Sequence, residues 1–241
     1  PRQRKALARV VDFAAAEVPY YRNLFRKLKL APEDIGGPAD LPKLPLLGKL
    51  ELRDYAKELQ PARLPRGEKV WGVFTSSGTT GRPTKVVMSA ESNRMFNVLS
   101  QRKCRWFRLD PSASFATVRL ASQLPRTADG SFLADGATTH LPDWQYVGTY
   151  FKTGPELLYS ITNPIEHQMA WLDKHQPAYL TSYSESLEHL AFAWSDPQPW
   201  QGLKVFHAIS EMLTPSMRQR IERTFPIPII QGYGLNEIGI V

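Results

Sequence analysis

The feature that most constrains the fold is the strict alternation of helical and strand patterns in the last third of the sequence. "PIEHQMAWLDKH" reads as a helix with Pro164 at its first position and is followed by the strand "AYLTS". "SESLEHLAFAW" reads as a second helix and precedes the strand "LKVFHAI"; Thr214 then caps "PSMRQRIERTF", which leads into "PIIQG". Each helical stretch repeats its apolar residues at three and four positions, and each strand is a short β-branched or aromatic run. Such alternation calls for a parallel sheet joined by right-handed helical crossovers, an α/β fold with mixed and parallel sheets flanked by helices. Ligands of such sheets sit at the carboxyl ends of the strands. Those ends carry "YSES", "SEML" and "YGLNE", three polar turns expected to converge on one rim.

The rest of the chain is of two textures. Residues 1–68 read as a helical, proline-punctuated region packing on a core, and residues 69–241 as that α/β core. In the first helix Leu7, Val10, Val11 and Ala14 are expected on one face; Pro19 opens a new segment. "GGPADLPKLPLLGKLEL" is expected to be an extended connector running into a short helix near "ELRDYAKEL". "KVWGVF" and "KVVMS" read as adjacent strands, and Ser89 as the N-cap of a helix carrying Met95, Val98 and Leu99. Residues 110–160 show only the strands "SFATVRL" and "ELLYSI".

With 241 residues, 42% of them hydrophobic, the chain can bury a sizeable core. One cysteine, Cys104, excludes an internal disulfide and suits a reducing, cytoplasmic location; no apolar run is long enough to span a bilayer. The net charge of +7 permits a polyanion partner. Much of it, however, lies in "RNLFRKLKL" and "RKCRWFRL", where apolar residues at helical spacing mark solvated helix faces, and no nucleic-acid-binding motif is present. The five histidines, 140, 167, 175, 189 and 207, lack metal-ligand spacing and read as structural or surface residues.

Between the two expected strands lies "VFTSSGTTGRPTKVV", residues 73–87. The backbone N–H groups at Gly78 and Gly81, with the hydroxyls of Thr75, Ser76, Ser77, Thr79 and Thr80, offer many donors in little space. This suits phosphate oxygens, each of which accepts several hydrogen bonds. A Ser/Thr/Gly-rich hairpin turn explains the composition equally well, and the spacing is not that of a P-loop.

"SSGTTGRPTK" resembles the phosphate-binding loop of the adenylate-forming superfamily, and "YGLNE" its Tyr-Gly-x-Thr-Glu motif; "VPYYRNLFRKLKLAPEDIGGPADLPKLPLLGKLELRDY" is similar to the phenylacetate-CoA ligase branch. The resemblance implies the amino-terminal core of a ligase that joins a carboxylic acid, an aryl or small organic acid, to ATP as an acyl-adenylate. The acyl group would then pass to CoA or a carrier-protein thiol. By the same resemblance Ser76–Gly81 would close over the β- and γ-phosphates, Tyr233 and Gly234 would face the base, and Ser210, Glu211 and Met212 would form the opposite wall. Glu237 would ligate Mg²⁺. Asn236 stands where the motif has Thr, and Thr84 separates Pro83 from Lys85, which leaves Lys85 as either a phosphate contact or a strand surface residue. The family's ribose-binding Asp and mobile C-terminal domain lie beyond these residues, so this chain by itself is expected not to turn over. A small-molecule acid, ATP, and CoA or another thiol are the expected partners, a homodimer is allowed, and neither nucleic acid nor membrane is expected. A non-catalytic ATP/AMP-binding module and a basic nucleic-acid-binding protein are the alternative readings.

Overall fold

A computed structural model describes residues 2–75, 85–194, 200–235 and 239–240. The chain divides into two compact units, Pro1–Asn93 and Arg94–Val241.

In the first unit, helices α1 (Arg2–Glu17) and α2 (Pro19–Leu28) close a small core of Val11, Phe25 and Ile35, against which Leu7, Ala15 and Tyr21 pack. Pro19 occupies the first turn of α2, where its missing N–H costs nothing, and Lys29 ends the helix in the left-handed conformation, φ 54°. Val10 departs from the expected face: it is 65% exposed, because one residue of helix turns it about 100° from Val11. The expected extended connector instead contains a 3₁₀ segment, Pro38–Lys43, started by the Asp40 carboxylate accepting from the Gly37 N–H at 3.1 Å. Helix α3 (Lys49–Asp54) follows, with Glu51 Oε2 accepting from the Gly48 N–H at 3.0 Å. Strands β1 (Val70–Thr75) and β2 (Lys85–Ser89) form an antiparallel hairpin that sets Thr75 opposite Lys85. Helix α4 (Ala90–Trp106) starts where the Ser89 hydroxyl accepts from the Ser92 N–H at 3.1 Å, the expected N-cap.

The second unit is built on a six-stranded sheet. Its strands are β3 (Phe115–Arg119), β4 (Thr138–Leu141), β5 (Glu156–Ser160), β6 (Tyr179–Tyr183), β7 (Val205–Ile209) and β8 (Ile229–Gln231). Their order is β4-β5-β3-β6-β7-β8, parallel except for the antiparallel edge strand β4, which lies in the stretch the sequence left illegible. The crossovers are α5 (Ile165–His175), α6 (Ser184–Ala193) and α7 (Pro215–Thr224), as the alternation requires. Pro164 is the N-cap residue of α5, one position before its first turn, and Thr214 Oγ1 accepts from the Met217 N–H at 3.2 Å to cap α7.

Alternate residues of each strand point to opposite sides. On one side Ala116, Val118, Leu157, Leu180, Phe206 and Ala208 join Leu172, Leu187, Leu190 and Ile221 of the three crossover helices in the main apolar core. On the other side the strand starts, Phe115, Tyr179 and Val205, pack with Trp144, Val147 and Cys104 of α4 in a smaller aromatic cluster. The buried residues of α4 are polar. Met95 and Val98 are exposed, whereas Asn97 and Ser100 are buried.

Candidate functional site

The carboxyl ends of β6, β7 and β8 meet as their parallel order demands. After β7, Ser210 takes a left-handed backbone conformation, φ 66°, which non-glycine residues adopt mainly where surrounding contacts enforce it. The Glu211 that follows is held from two neighbouring strand ends. Its carbonyl accepts from the Ser184 hydroxyl at 3.3 Å and from Gln231 Nε2 at 3.2 Å, and its carboxylate accepts from the Glu185 N–H at 3.1 Å. The carboxylate thereby sits at the N-terminus of α6, where a negative charge is favoured. These bonds join the turn Ser210–Met212 to the "YSES" turn and to the end of β8. Beyond them Met212 is 78% exposed and Tyr233 63% exposed, two large apolar side chains left open at the rim. Gly234 begins the two-residue strand β9 (Gly234–Leu235), which pairs with β10 (Gly239–Ile240). Asn236 and Glu237 fall between these strands and outside the described residues, as do Ser76, Ser77, Gly78, Thr79, Thr80 and Gly81. Of the remaining candidates in the first unit, Thr75 ends β1 and Lys85 is exposed at the start of β2.

Beneath this rim, the α4 side of the sheet carries a row of polar residues that the sequence reading did not assign to a site. Thr117, Thr181 and His207 occupy the middles of β3, β6 and β7, in register with one another. His207 Nδ1 is hydrogen-bonded to Thr181 Oγ1 at 2.9 Å. Lys103 Nζ stands 3.4 and 3.3 Å from the two ring nitrogens, so it lies against the ring and not in line with one lone pair. Burial holds His207 well below its ordinary pKa, and the neighbouring charges of Lys103 and Arg119 add to the effect; the imidazole is neutral at pH 7. Part of the Lys103 side chain reaches the surface, yet its ammonium is enclosed enough for desolvation to bring its pKa down to about 8.

At the start of β5, the buried Glu156 carboxylate accepts from Thr117 Oγ1 at 2.6 Å, the Gln145 N–H at 2.7 Å and Gln145 Nε2 at 3.1 Å. Burial nonetheless raises its pKa, with the hydrogen bonds and the positive charge of Lys103 opposing the shift. At the other end of β3, Arg119 donates from Nη2 to Gln123 Oε1 at 2.6 Å, while its Nε is buried without a partner; Asn97 Oδ1 of α4 is likewise buried and unpaired. His207 also ties this row to the rim: a Cβ placed on Gly232 would come within 3.2 Å of His207 Nε2. The glycine that precedes Tyr233 thus lets the rim turn approach the imidazole.

The signal for this row was present in the strands. Fully buried parallel strands usually read as continuous apolar runs, whereas "FATVR", "YLTSY" and "VFHAI" each place a polar residue at the centre. What such a residue faces depends on the helix packed over it. Among the described residues no group of three or more His, Cys, Asp or Glu could hold a metal ion.

The sequence model of a family described as AMP-binding enzyme matches residues 32–241. The phenylacetate-coenzyme A ligase of Aromatoleum evansii is 27% identical over 238 residues, covering 95% of this chain and 48% of that protein. That of Thermus thermophilus is 36% identical over 94 residues, covering 39% of this chain and 21% of that protein. In structure, the chain is similar to an open conformation of 2-hydroxyisobutyryl-CoA ligase in complex with 2-HIB-AMP and CoA, with a TM-score of 0.72 at 18% identity, covering 97% of this chain and 49% of that one. The chain therefore spans at most about half the length of the relatives it matches.

Proposed function

The chain belongs to the AMP-binding enzyme family, and from that premise we propose that it is the nucleotide-binding core of an ATP-dependent acid–thiol ligase. In the reaction, a carboxylate oxygen attacks the α-phosphorus of ATP, the bond to the bridging oxygen breaks, and pyrophosphate leaves with its electron pair. A thiol such as that of CoA then attacks the acyl carbon of the acyl-adenylate and AMP departs. The carboxylate is its own nucleophile, so the protein's work is to position the reactants and to stabilise charge, without a general base.

The observation that supports this reading best is the convergence of three strand-end turns on one rim. Glu211 links the Ser210–Met212 turn to the first turn of α6 and to Gln231, next to the "YGLNE" stretch. Tyr233, standing open there, would stack on adenine, with Ser210, Glu211 and Met212 as the opposite wall and Gly234 allowing close approach. Ser76 to Gly81 would hold the β- and γ-phosphates, with Thr75 and Lys85 at the two ends of that loop. Asn236 would donate to the α-phosphate. The family implies Mg²⁺, which typically takes one or two carboxylates together with phosphate oxygens and needs no cage of protein ligands. Glu237 would hold such an ion, which would neutralise phosphate charge. A cytoplasmic location suits the single thiol, Cys104.

Glu237→Gln tests the assignment, because it keeps the shape and removes the charge. In the intact gene product carrying this sequence, acid-dependent ATP–pyrophosphate exchange is expected to fall by on the order of a hundred-fold or more, with AMP binding measured without metal unchanged. Overlapping exchange rates across a Mg²⁺ titration would remove Glu237 from the metal site. ATP binding with no exchange for any acid would favour a non-catalytic nucleotide-binding module.

A further inference from the structure

The net charge of the chain lies in one of its two units. Residues 1–93 hold 17 of the 30 Lys and Arg and 10 of the 23 Asp and Glu, whereas the second unit is balanced at 13 of each. The whole +7 therefore belongs to the first unit. Several of its carboxylates are engaged close to where they stand: Asp40 pairs with Lys43 and Asp54 with Arg53, while Asp34, Glu51 and Glu68 accept from backbone N–H groups. Helices α1 and α2, with Lys29 at the end of α2, carry eight cations against Asp12 and Glu17, and all eight cations are exposed. Among the described residues none of the eight forms an ion pair.

Six of these cations are in register. With about 100° of turn per residue, Arg2, Lys5 and Arg9 fall on one side of α1, opposite Leu7, Val11 and Ala15, which face the core. Ala16 lies seven positions beyond Arg9 on the same side, and its carbonyl accepts from the Arg22 guanidinium of α2. Arg22, Arg26 and Lys29 then continue along α2 at intervals of four and three. The result is a line of cations that passes from one helix to the other and runs about 10 Å along each. A solvated surface ordinarily mixes both signs. Here one carboxylate, Asp12, stands beside the line.

We propose that this line is a docking surface for another protein, a helix whose carboxylates repeat at three and four positions. Charge complementarity asks for an anionic partner. A second copy of the chain would bring the same cations and be repelled. A lipid surface takes up the apolar face of a helix, and here the apolar sides of α1 and α2 are used in the core of Val11, Phe25 and Ile35; beside the line only Val10 and Leu28 are exposed. A nucleic acid would set phosphates against Asp12 and find no aromatic ring in the line on which to stack a base. A protein helix can place a basic residue opposite Asp12 and carboxylates opposite the cations, with the repeat that α1 and α2 themselves have. The docking surface is independent of the ligase reading, since none of its residues has a part in adenylation.

The probe is a fluorescent synthetic helical peptide with glutamates at intervals of three and four along one side, compared with a control of the same composition whose glutamates are spread around the helix. Anisotropy titrations on the intact gene product carrying this sequence measure both. The ordered peptide should bind tighter than its control by on the order of tenfold at low salt, the scale of a few exposed ion pairs acting together, and added salt should erase most of the difference. Lys5→Glu with Arg9→Glu should abolish the preference, and Lys5→Gln with Arg9→Gln should reduce it. Thermal melting reports that each variant is folded, and acid-dependent pyrophosphate exchange should be unchanged in both. Equal binding of the two peptides, or a preference that survives the charge reversal, overturns the docking surface. Tighter binding of an oligonucleotide or of phosphatidylserine vesicles than of the ordered peptide, lost on the same reversal, overturns it in favour of a polyanion or a membrane. Exchange lost in a folded variant would overturn it by placing these cations in the ligase machinery.

Discussion

The two sides of the six-stranded sheet are made by the same strands and do opposite work. Towards α5, α6 and α7, Phe206, Ala208, Leu180 and Val118 are almost wholly removed from water and touch only apolar partners. Towards α4, one residue away along each strand, Thr117, Thr181 and His207 form a hydrogen-bonded row with an enclosed ammonium above it. Apolar burial stabilises without needing direction, so the first side is where the fold gains its free energy. The second side buries polar groups, two of which lack partners, at a cost in stability. A sheet can hold both because its side chains alternate.

The comparison is broken most easily from the apolar side. Phe206→Ala removes a ring packed edge-on against Phe225 at 5.0 Å between centroids and should cost about 3–5 kcal/mol in denaturant unfolding. A loss below about 1 kcal/mol would mean that this side is not the main core. Lys103→Met should act in the other direction, raising stability at pH 7 by about 1–3 kcal/mol, because burial disfavours the ammonium more than nearby charge favours it, and the change replaces it by an apolar chain of similar length. Destabilisation by that change would show that Lys103 is a structural counter-charge to Glu156.

Acidity sharpens the same contrast. His207 is held neutral below its ordinary pKa, so its contribution to stability is complete above about pH 6.5, where the unfolded imidazole is also neutral, and declines as pH falls below that. Lys103 acts in the same sense at alkaline pH: the unfolded chain binds the extra proton between about 8 and 10.5, and stability rises with pH across that window. Glu156, whose pKa is raised, has the opposite slope, its contribution being lost as pH rises through its folded value. Lys103→Met should flatten the alkaline slope in unfolding curves collected from pH 7 to 10.5. An unchanged slope would place the ammonium in water. The smallest effect belongs to the outer face of α4: Met95→Ala should shift stability by no more than about 0.5 kcal/mol, and a loss of 2 kcal/mol or more, of the order seen for core truncations, would place Met95 in the core.

Most of the architecture was legible because it follows from local pattern. The period of three to four in "PIEHQMAWLDKH" and the β-branched run "LKVFHAI" are properties of the chain itself, as are the caps at Ser89 and Thr214, whose hydroxyls bond amides three residues on. The edge strand β4 was not legible, since "TTHL" carries little apolar signal and becomes a strand only by pairing with β5. Nor was the buried side of α4: Met95 and Val98 are exposed whereas the polar Asn97 and Ser100 are buried, because which side of a helix is covered depends on what the fold packs over it.

The site divides along the same line. Short-range order in the sequence determined the glycine- and hydroxyl-rich loop, the "YGLNE" stretch and the parallel crossovers that bring strand ends to one rim, because hydrogen bonding, periodicity and turn chemistry act over a few residues. Tertiary structure alone decided that Glu211 should tie three turns together, and that the charges of Lys103 and Arg119 should act on the buried His207, and that of Lys103 on Glu156. These four are separated by up to 104 positions in the chain. Charge and burial act through space: whether a lysine is a solvated surface group or an ammonium that burial disfavours depends on what the fold places around it.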